Sequence, residues 1–314
     1  MLKRLLLNHR GKGDEHVQIL YNAQDISSYV EVVECVYETR CDHKISHLRI
    51  IFEDNQKFEL YGMTCGDTIR VRDGSIDTKE MYINKICPAN AGYEVVANPI
   101  RNAAMLETNK KTWNTVKFKK LMCDLAQEMG LEIQFYKMPN TIYSKVEQSN
   151  DRNIAFAAKR ALLEGCVITV YDGTLVVATQ TYLEEQKTPD SLEVDGYEVS
   201  VKLQRKYKKC EIGNDDKKGK FTDTDGYGTL SYVMDISSKA EGNRFAKNLL
   251  KYFNGYAKMG CIAADELLDQ YSAGSVTRIV SEDVPGISGK AFLYRVRHDI
   301  VNGHSKVWFR CVEV

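Results

Sequence analysis

The chain lacks any long apolar run. A membrane-spanning helix needs ~20 consecutive apolar residues, and no such stretch occurs among the 314 residues. The apolar run near the start, Leu5–Leu7, is too short to form the core of a secretory signal peptide. We therefore expect the protein to be made and folded in the bacterial cytoplasm, without an export signal of its own and without a membrane anchor.

The chain also lacks an excess of either charge. Lysine and arginine total 43, aspartate and glutamate total 43, and the formal net charge is zero. A protein dedicated to nucleic acid normally carries a basic excess that neutralises phosphates, so no specific nucleic-acid partner is predicted. A net charge near zero also removes long-range self-repulsion, which suits a subunit that assembles with others.

Cysteines are present but not in a pattern that builds a metal site or a disulfide framework. There is no Cys-x-x-Cys and no tight Cys/His cluster, and the total is odd, with nine cysteines at positions 35, 41, 65, 87, 123, 166, 210, 261 and 311. We interpret them as free, buried thiols in a reducing compartment.

The remaining composition is that of an ordinary folded protein. Hydrophobic residues make up 43% and charged residues 27%, which excludes wholesale disorder. The length exceeds what one hydrophobic core usually supports, so two or three domains are expected.

The first hundred residues read as β structure. Short β-branched and aromatic segments punctuated by Gly and Asp predict strands at 29–39, 48–52, 57–61, 68–71 and 81–86. Many short strands at close spacing are typical of a sandwich or barrel.

The middle of the chain changes to helical spacing. A first helix is predicted through Val116, Phe118, Leu121, Met122, Leu125 and Met129, with Gly130 as its stop. After a strand at 131–136, a second helix is expected to start with Asn150 or Asp151 as its cap. It carries Ile154, Ala157, Ala158, Ala161 and Leu162 inward and stops at Gly165. Asp172-Gly173 between two apolar runs predicts a hairpin.

The last third returns to β structure around one helix. A polar linker is predicted at 184–191, a strand at 197–203, an exposed loop at 208–228, and strands at 292–296 and 306–312. Ser238 with Glu241 forms a capping box for a helix that ends at Asn254-Gly255. The apolar stripe of this helix is expected to contain Ala240, Phe245, Leu249 and Phe253.

A weak internal repeat links the two β regions. Gly66–Val71 leads to a segment at 82–86, and Gly274–Ile279 leads to a segment at 294–298. In both places a Gly turn and a strand precede a second strand that begins near a tyrosine. Chance also produces echoes of this kind. A true repeat would mean that two similar β domains bracket the α+β unit.

No motif predicts chemistry. The run Gly213–Phe221 has the wrong glycine spacing for a phosphate loop, and Phe221 stands where Ser or Thr should bind magnesium. The calcium-like Asp223–Gly226 has Met234 at the twelfth position instead of glutamate. His43 and His47 lack a third ligand. We therefore predict no catalytic residue, no metal ligand and no cofactor.

The order of these segments resembles a known family, the phage late control gene D proteins, which form the hub of contractile tails. Gly66–Val71 followed by Met81–Ile86 resembles one pair of family strands, although Asn84 replaces the usual Gly-like turn. Lys145–Gly165 resembles a family helix, and Ala273–Val276 with Phe292–His298 resembles the closing segment. The positions that carry the motifs, and to which the resemblance assigns structural roles, are Gly66, Asp67, Asn150, Gly165, Gly173, Gly274, Val296 and His298.

The resemblance implies a fold and a role. The fold would be mainly β with an α+β insert, in which two tail-tube-like β-barrels (1–104 and 184–314, the second with one helix) flank a small α+β domain at 105–183. The protein would be a homotrimer, forming a pseudo-hexameric ring in the baseplate of a virion tail or a bacteriocin-like particle. Its partners would be the tail tube protein, a central spike protein and other baseplate proteins. Because the chain ends soon after the second barrel, we expect the spike to be a separate protein. The alternative is a tail-associated cell-wall hydrolase or a peptidoglycan-binding protein.

Overall fold

A computed structural model describes residues 17–53, 62–89, 92–187, 191–223 and 225–312. The chain is mainly β, with 49% strand and 18% helix, which confirms the predicted fold class. The strand predicted at 57–61 lies outside the described residues.

The first β region consists of short strands rich in apolar residues, and its central strands β3 and β4 bury consecutive residues, so parts of both faces of the sheet are covered. Ile50, Val71 and Ile83 are fully buried in its core. Its strands are β1 (Gln18–Tyr21), β2 (Gln24–Asp25), β3 (Val32–Arg40), β4 (His47–Glu53), β5 (Thr68–Asp73), β6 (Ile76–Asp77), β7 (Met81–Ala89) and β8 (Gly92–Asn98). They pair in the order β3-β4-β8-β7-β5-β1-β2, with β6 on β5.

The middle unit contains helices, a three-stranded sheet and a pair of long antiparallel strands. Strands β10, β13 and β12 form the sheet in that order, and β9 pairs with β11. Its elements are α1 (Asn102–Leu106), β9 (Thr108–Lys117), α2 (Phe118–Glu128), β10 (Glu132–Tyr136), β11 (Ile142–Arg152), α3 (Asn153–Leu163), β12 (Cys166–Tyr171), β13 (Thr174–Thr179) and α4 (Gln180–Glu184).

Both predicted helices of this unit exist, with corrected starts. Val116 lies in β9, not in the first helix. Asn150 does not cap the second helix. Its backbone has φ +56° at an irregularity of β11, and the capping position is Arg152. Pairing with β9 keeps the chain extended through Arg152, which delays the helix. Leu162, expected inward, is only half-buried.

The last third supplies the second β region and a further helix. Its elements are β14 (Ser191–Glu193), β15 (Glu198–Leu203), β16 (Lys209–Gly213), β17 (Lys218–Thr222), β18 (Thr229–Val233), α5 (Lys239–Gly255), β19 (Lys258–Ala264), β20 (Val276–Val280), a 3₁₀ turn (Pro285–Ile287), β21 (Gly289–Asp299) and β22 (His304–Cys311). The order is β15-β19-β22-β21, with β20 on β21 and β14 on β20.

The exposed loop predicted at 208–228 is wrong. Residues 209–213 and 218–222 are strands that join β18 in a small sheet. Cys210 and Ile212 are buried in the same core as Phe245 of α5. The abundant Lys and Asp face solvent, Gly219 is buried inside β17, and the buried face of this sheet contains very few side chains.

Helix α5 starts as predicted and packs on a shifted stripe. The hydroxyl of Ser238 accepts the Glu241 N–H at 3.2 Å, as in a capping box, and the helix ends at Gly255. Phe245 and Leu249 are buried, but the predicted Ala240 and Phe253 are exposed. Ala246 and Leu250 take their place in the core.

A buried carboxylate ties α5 to the middle unit. The side chain of Glu164, at the end of α3, is completely buried. It accepts the Tyr143 hydroxyl at 2.6 Å and two N–H groups of Arg244 at 3.0 and 3.1 Å. Helix α5 therefore shares a core with the middle unit although it is inserted between strands of the second β region. The domain boundaries at 104 and 184 stay predictions.

Matching backbone hydrogen bonds support the internal repeat, with Ile83 equivalent to Leu293, so that Tyr82 corresponds to Phe292 and not to Tyr294. Gly66 donates its N–H to the Ile83 carbonyl at 2.8 Å, and Gly274 donates to the Leu293 carbonyl at 2.8 Å. In return, Ile83 donates its N–H to the Asp67 carbonyl at 2.8 Å, and Leu293 donates its N–H to the Ser275 carbonyl at 3.0 Å. Both glycines have positive φ, +105° and +97°, a conformation that glycine adopts without strain.

The repeat extends across five strands. An irregularity interrupts the pairing of β7 with β8 after Ile83 and that of β21 with β22 after Leu293. The order β5-β7-β8-β4-β3 matches the order β20-β21-β22-β19-β15. The region between β3 and β4 is a short turn, whereas its equivalent between β15 and β19 holds β16–β18 and α5.

Candidate assembly surfaces

The two β regions meet edge to edge at a seam between β3 and β21. Residues Val36–Arg40 pair antiparallel with Arg295–Asp299, from Arg40 opposite Arg295 to Val36 opposite Asp299. We call these paired segments the seam. The seam joins the two repeats into one continuous sheet. It therefore shows in which register a strand of one repeat pairs with a strand of the other.

A buried glutamate holds the seam. The side chain of Glu38 is 3% exposed and accepts hydrogen bonds from Arg295 at 2.7 Å and from Arg40 at 2.8 Å. Burial alone would raise the pKa of Glu38, but these hydrogen bonds outweigh burial and lower it. The guanidinium of Arg295 also stacks 3.8 Å from the ring centre of Trp308. This charge network fixes the register of the seam.

Two predicted motif residues, Val296 and His298, lie in the seam. Val296 is fully buried opposite Thr39, and His298 lies opposite Tyr37. The imidazole of His298 is within hydrogen-bond distance of the Ser305 hydroxyl at 3.0 Å and of the Tyr271 carbonyl at 3.1 Å. Burial lowers the pKa of His298 because it disfavours the charged imidazolium.

We expect acid to weaken the fold through His298. A histidine whose pKa is lowered by folding contributes stability above its ordinary pKa of ~6.5, and this contribution is lost as the pH falls below that value. Urea unfolding at pH 7.5 and pH 5 should show a smaller free energy of unfolding at pH 5, and His298→Gln should reduce that difference. Part of it should remain, because burial also lowers the pKa of His43 to about 4. An unchanged pH dependence in His298→Gln would contradict the prediction.

The other motif residues of the β regions shape the repeated turn. The carboxylate of Asp67 accepts the Tyr21 hydroxyl at 2.7 Å and the Thr64 N–H at 2.7 Å. Burial and this contact with Asp67 raise the pKa of Tyr21 to about 12. Gly66, Asp67 and Gly274 therefore position strands.

The remaining motif residues lie in the middle unit. Asn150 lies in β11, Gly165 follows α3 with φ +69°, and Gly173 forms the β12–β13 turn with φ +67°. A side chain on Gly165 would come within 3.1 Å of Asn248 of α5. The structure thus distributes the eight motif positions over the two β regions and the middle unit and does not gather them into one pocket.

Two strand edges were not singled out by the sequence. Within the described residues, β15 ends its sheet, and Val201 and Leu203 are 39% and 72% exposed. Among the residues that the structure describes, strand β7 pairs with β5 only at Met81 and Tyr82, and its outer half, Lys85–Ala89, pairs only with β8. Apolar and polar side chains alternate along these edge strands as they do along paired strands. The local sequence pattern therefore does not show whether another strand pairs with an edge.

The described residues contain no group of three or more His, Cys, Asp or Glu placed to hold a metal ion. All nine cysteines are free thiols, five of them buried. Cys65 is exposed, which corrects the expectation that all would be buried. Among the described helices, none has the length and apolarity required to cross a membrane.

Comparison with known proteins finds likeness in structure alone. No family model and no curated protein sequence matches the chain. The 43 kDa tail protein of prophage MuSo2 from Shewanella oneidensis is 11% identical, with a TM-score of 0.71 over 95% of this chain and 98% of that protein. A tail protein from Neisseria meningitidis is 12% identical, with a TM-score of 0.72 over 94% and 96%.

A third similar structure comes from a secretion system. This E. coli component of the type VI secretion system is described as structurally similar to T4 bacteriophage tail proteins gp27 and gp5. It is 8% identical, with a TM-score of 0.62 over 94% of this chain and 77% of that protein. The chain therefore has the fold of phage tail proteins.

Proposed function

We propose that the chain is a structural hub of a contractile tail baseplate, a trimeric adaptor between the hexameric tail tube and a trimeric central spike. The observation that carries the proposal is the internal repeat. Gly66 and Gly274 make the same hydrogen bonds at the same place in two five-stranded units of one chain. The likeness to tail proteins and the late control gene D resemblance support the same conclusion.

A duplicated chain resolves a mismatch of symmetry. A six-fold tube end offers six equivalent sites, and a three-fold spike offers three. Three copies of a chain with two similar β units present six units in one closed ring. Such units can differ where only three-fold symmetry is needed, and the second unit alone holds the β16–β18 and α5 insertion among the described residues.

The proposal assigns a structural role to each part. The units at 1–104 and 184–314 would form the ring, and the 105–183 unit would lie outside the repeat. The eight motif residues would act in folding and not in catalysis. Assembly would take place in the bacterial cytoplasm, into a virion tail or a phage tail-like particle. Its partners would be the tube protein, the spike protein and other baseplate proteins.

We expect three copies of this chain in one ring at the tail tip. Electron microscopy of an assembled particle should show six similar β units around the axis, two from each chain. Six copies, one copy, or three copies with only one unit each in the ring would contradict the adaptor role. Zymography on cell-wall substrate tests the hydrolase alternative, and a cleared band lost with a single Cys, His or acid substitution would favour it.

A further inference from the structure

The two strands of the seam have equivalents, β15 and the outer half of β7, that are not paired with each other in the described residues. Because the two β units are repeats, every strand of the seam has an equivalent in the other unit. Across the first unit, Ile83 pairs with Ala97, Ala97 with Leu48, and Leu48 with Tyr37. Across the second unit, Leu293 pairs with Phe309, Phe309 with Gly260, and Gly260 with Val201. Val201 of β15 is therefore the equivalent of Tyr37 of β3. By the same alignment, Lys85–Ala89 of β7 are the equivalents of Arg295–Asp299 of β21.

These counterparts are exposed at the positions that the seam buries. Tyr37 is 5% exposed, but its equivalent Val201 is 39% exposed. His298 is 2% exposed, whereas Pro88 at the equivalent position is exposed. Leu203, equivalent to the half-buried Thr39, is 72% exposed. Apolar side chains on an unpaired sheet edge indicate a missing partner strand.

We propose that Lys85–Ala89 of one copy pairs antiparallel with Ser200–Gln204 of a second copy, in the register of the seam. In that register Lys85 lies opposite Gln204, Cys87 opposite Lys202, and Ala89 opposite Ser200. This inference deepens the proposed function. Only the number of copies in the ring rests on that function, whereas the strand pairing is argued from the repeat and the seam.

The backbone polarity of both edges fits this register. Gln204 donates its N–H inward to the Ala257 carbonyl at 2.7 Å. Because N–H groups alternate along a strand, Leu203 directs its N–H to the free edge. In the seam, the Ile300 N–H reaches the Cys35 carbonyl at 2.8 Å, which makes His298 and Val296 the bonded positions. Their equivalents are Pro88 and Ile86. Pro88 has no N–H to donate, so Ile86 is the bonding donor of that edge, as expected where proline occupies an edge strand.

Charge across the strands also fits. In the seam, Glu38 lies opposite Arg297, which in turn lies opposite Lys306. In the proposed interface, Lys202 lies opposite Cys87, which in turn lies opposite Glu94. In the seam the acidic residue is contributed by β3 and the basic residues by β21 and β22. In the proposed interface the basic residue is contributed by β15 and the acidic residue by β8. In the proposed interface no two like charges lie directly opposite each other, an arrangement that would weaken pairing.

The natural Cys87 permits a direct test with Lys202→Cys. Because Cys87 and residue 202 form a non-hydrogen-bonded pair in this register, their Cα atoms lie about 4.5 Å apart, within the range that a disulfide spans. Full-length chain carrying Cys65→Ser and Lys202→Cys is oxidised mildly, both free at high concentration and in assembled particles. We expect covalent dimers and trimers on a non-reducing gel, with the 87–202 disulfide identified by mass spectrometry.

Two controls fix the register and the contact. Cys87→Ser in the same background should abolish the ladder. Leu203→Cys moves the thiol one residue along the strand and onto the other face, and should not cross-link to Cys87. Particles with three copies but no 87–202 linkage would overturn the interface and leave the hub intact. If the 87–202 linkage forms but the largest cross-linked oligomer contains a number of chains other than three, the result would support the interface and contradict the trimer.

A second pair of variants tests the backbone contact without added cysteines. Leu203→Pro removes one of the two N–H groups of this segment that point to the free edge, the other being that of Val201, and leaves the β19-facing bonds of Lys202 and Gln204 in place. Leu203→Ala removes the same apolar side chain but keeps the N–H. We expect Leu203→Pro to reduce incorporation into particles at least tenfold relative to Leu203→Ala, with unchanged circular dichroism of the free chain. Equal incorporation of the two variants would contradict strand pairing at this edge.

Discussion

Replacing Gly219 by alanine is expected to destabilise the fold by about 3 kcal/mol or more, at the upper end of overpacking effects. A Cβ on Gly219 would lie 2.1 Å from the carbonyl carbon of Gly242 and 2.5 Å from the Asn243 nitrogen. Both contacts are backbone atoms of α5, which no rotamer change relieves. Strand β17 and helix α5 approach this closely only because two glycines face each other.

Gly286→Ala is the matched control for this prediction. A Cβ on Gly286 would meet no atom within 4 Å, so its effect should stay within about 0.5 kcal/mol. Urea unfolding followed by circular dichroism measures both variants against the parent chain. If Gly219→Ala unfolds at the same urea concentration as Gly286→Ala, the close approach of β17 to α5 is wrong.

Glu164→Ala is expected to cost about 3 kcal/mol, near the lower end of values for breaking a buried ion pair. The substitution leaves the fully buried Tyr143 hydroxyl without its acceptor and Arg244 without its partner. The loss stays near the lower end because the Arg244 side chain is 32% exposed and regains water. Glu164→Gln should cost less, since the amide oxygen still accepts the tyrosine hydroxyl.

A double-mutant cycle isolates this contact. If Glu164 and Arg244 act as a pair, the double alanine variant should be less destabilised than the sum of the single variants. Lys120→Ala, which removes an exposed partner of Asp124, provides the surface control, with an expected effect below about 1 kcal/mol. Additive single effects would mean that α5 and the middle unit are not coupled through Glu164.

Local pattern predicted those elements whose residues determine their own conformation. Asp172 and Gly173 both adopt positive φ, +48° and +67°, as a two-residue hairpin requires. Ser238 caps α5 through its own hydroxyl. The strands of the first β region are rich enough in β-branched and aromatic residues to be recognised singly. In each case the determining atoms lie within a few residues of one another.

Elements whose buried face is sparse were missed. Strand β9 buries only Trp113 and Val116 among ten residues, so its alternation is too weak to predict a strand. The β16–β17 hairpin is concealed in the same way. The seam was unpredictable for another reason. The sequence shows that Tyr37 and Val296 are apolar, but the seam joins β3 to residues about 257 positions further along the chain.

That separation has a consequence during synthesis. Strand β3 leaves the ribosome long before β21 is translated, and at 5–20 residues per second the interval is roughly 13 to 50 s. Throughout this time the first β unit presents an unpaired edge to other nascent chains, a situation that favours aggregation. Glu38 and Arg40 lie on that edge, and their charges oppose pairing with an apolar strand until Arg295 arrives. The ion pairs that later hold the seam thus also protect the unfinished chain.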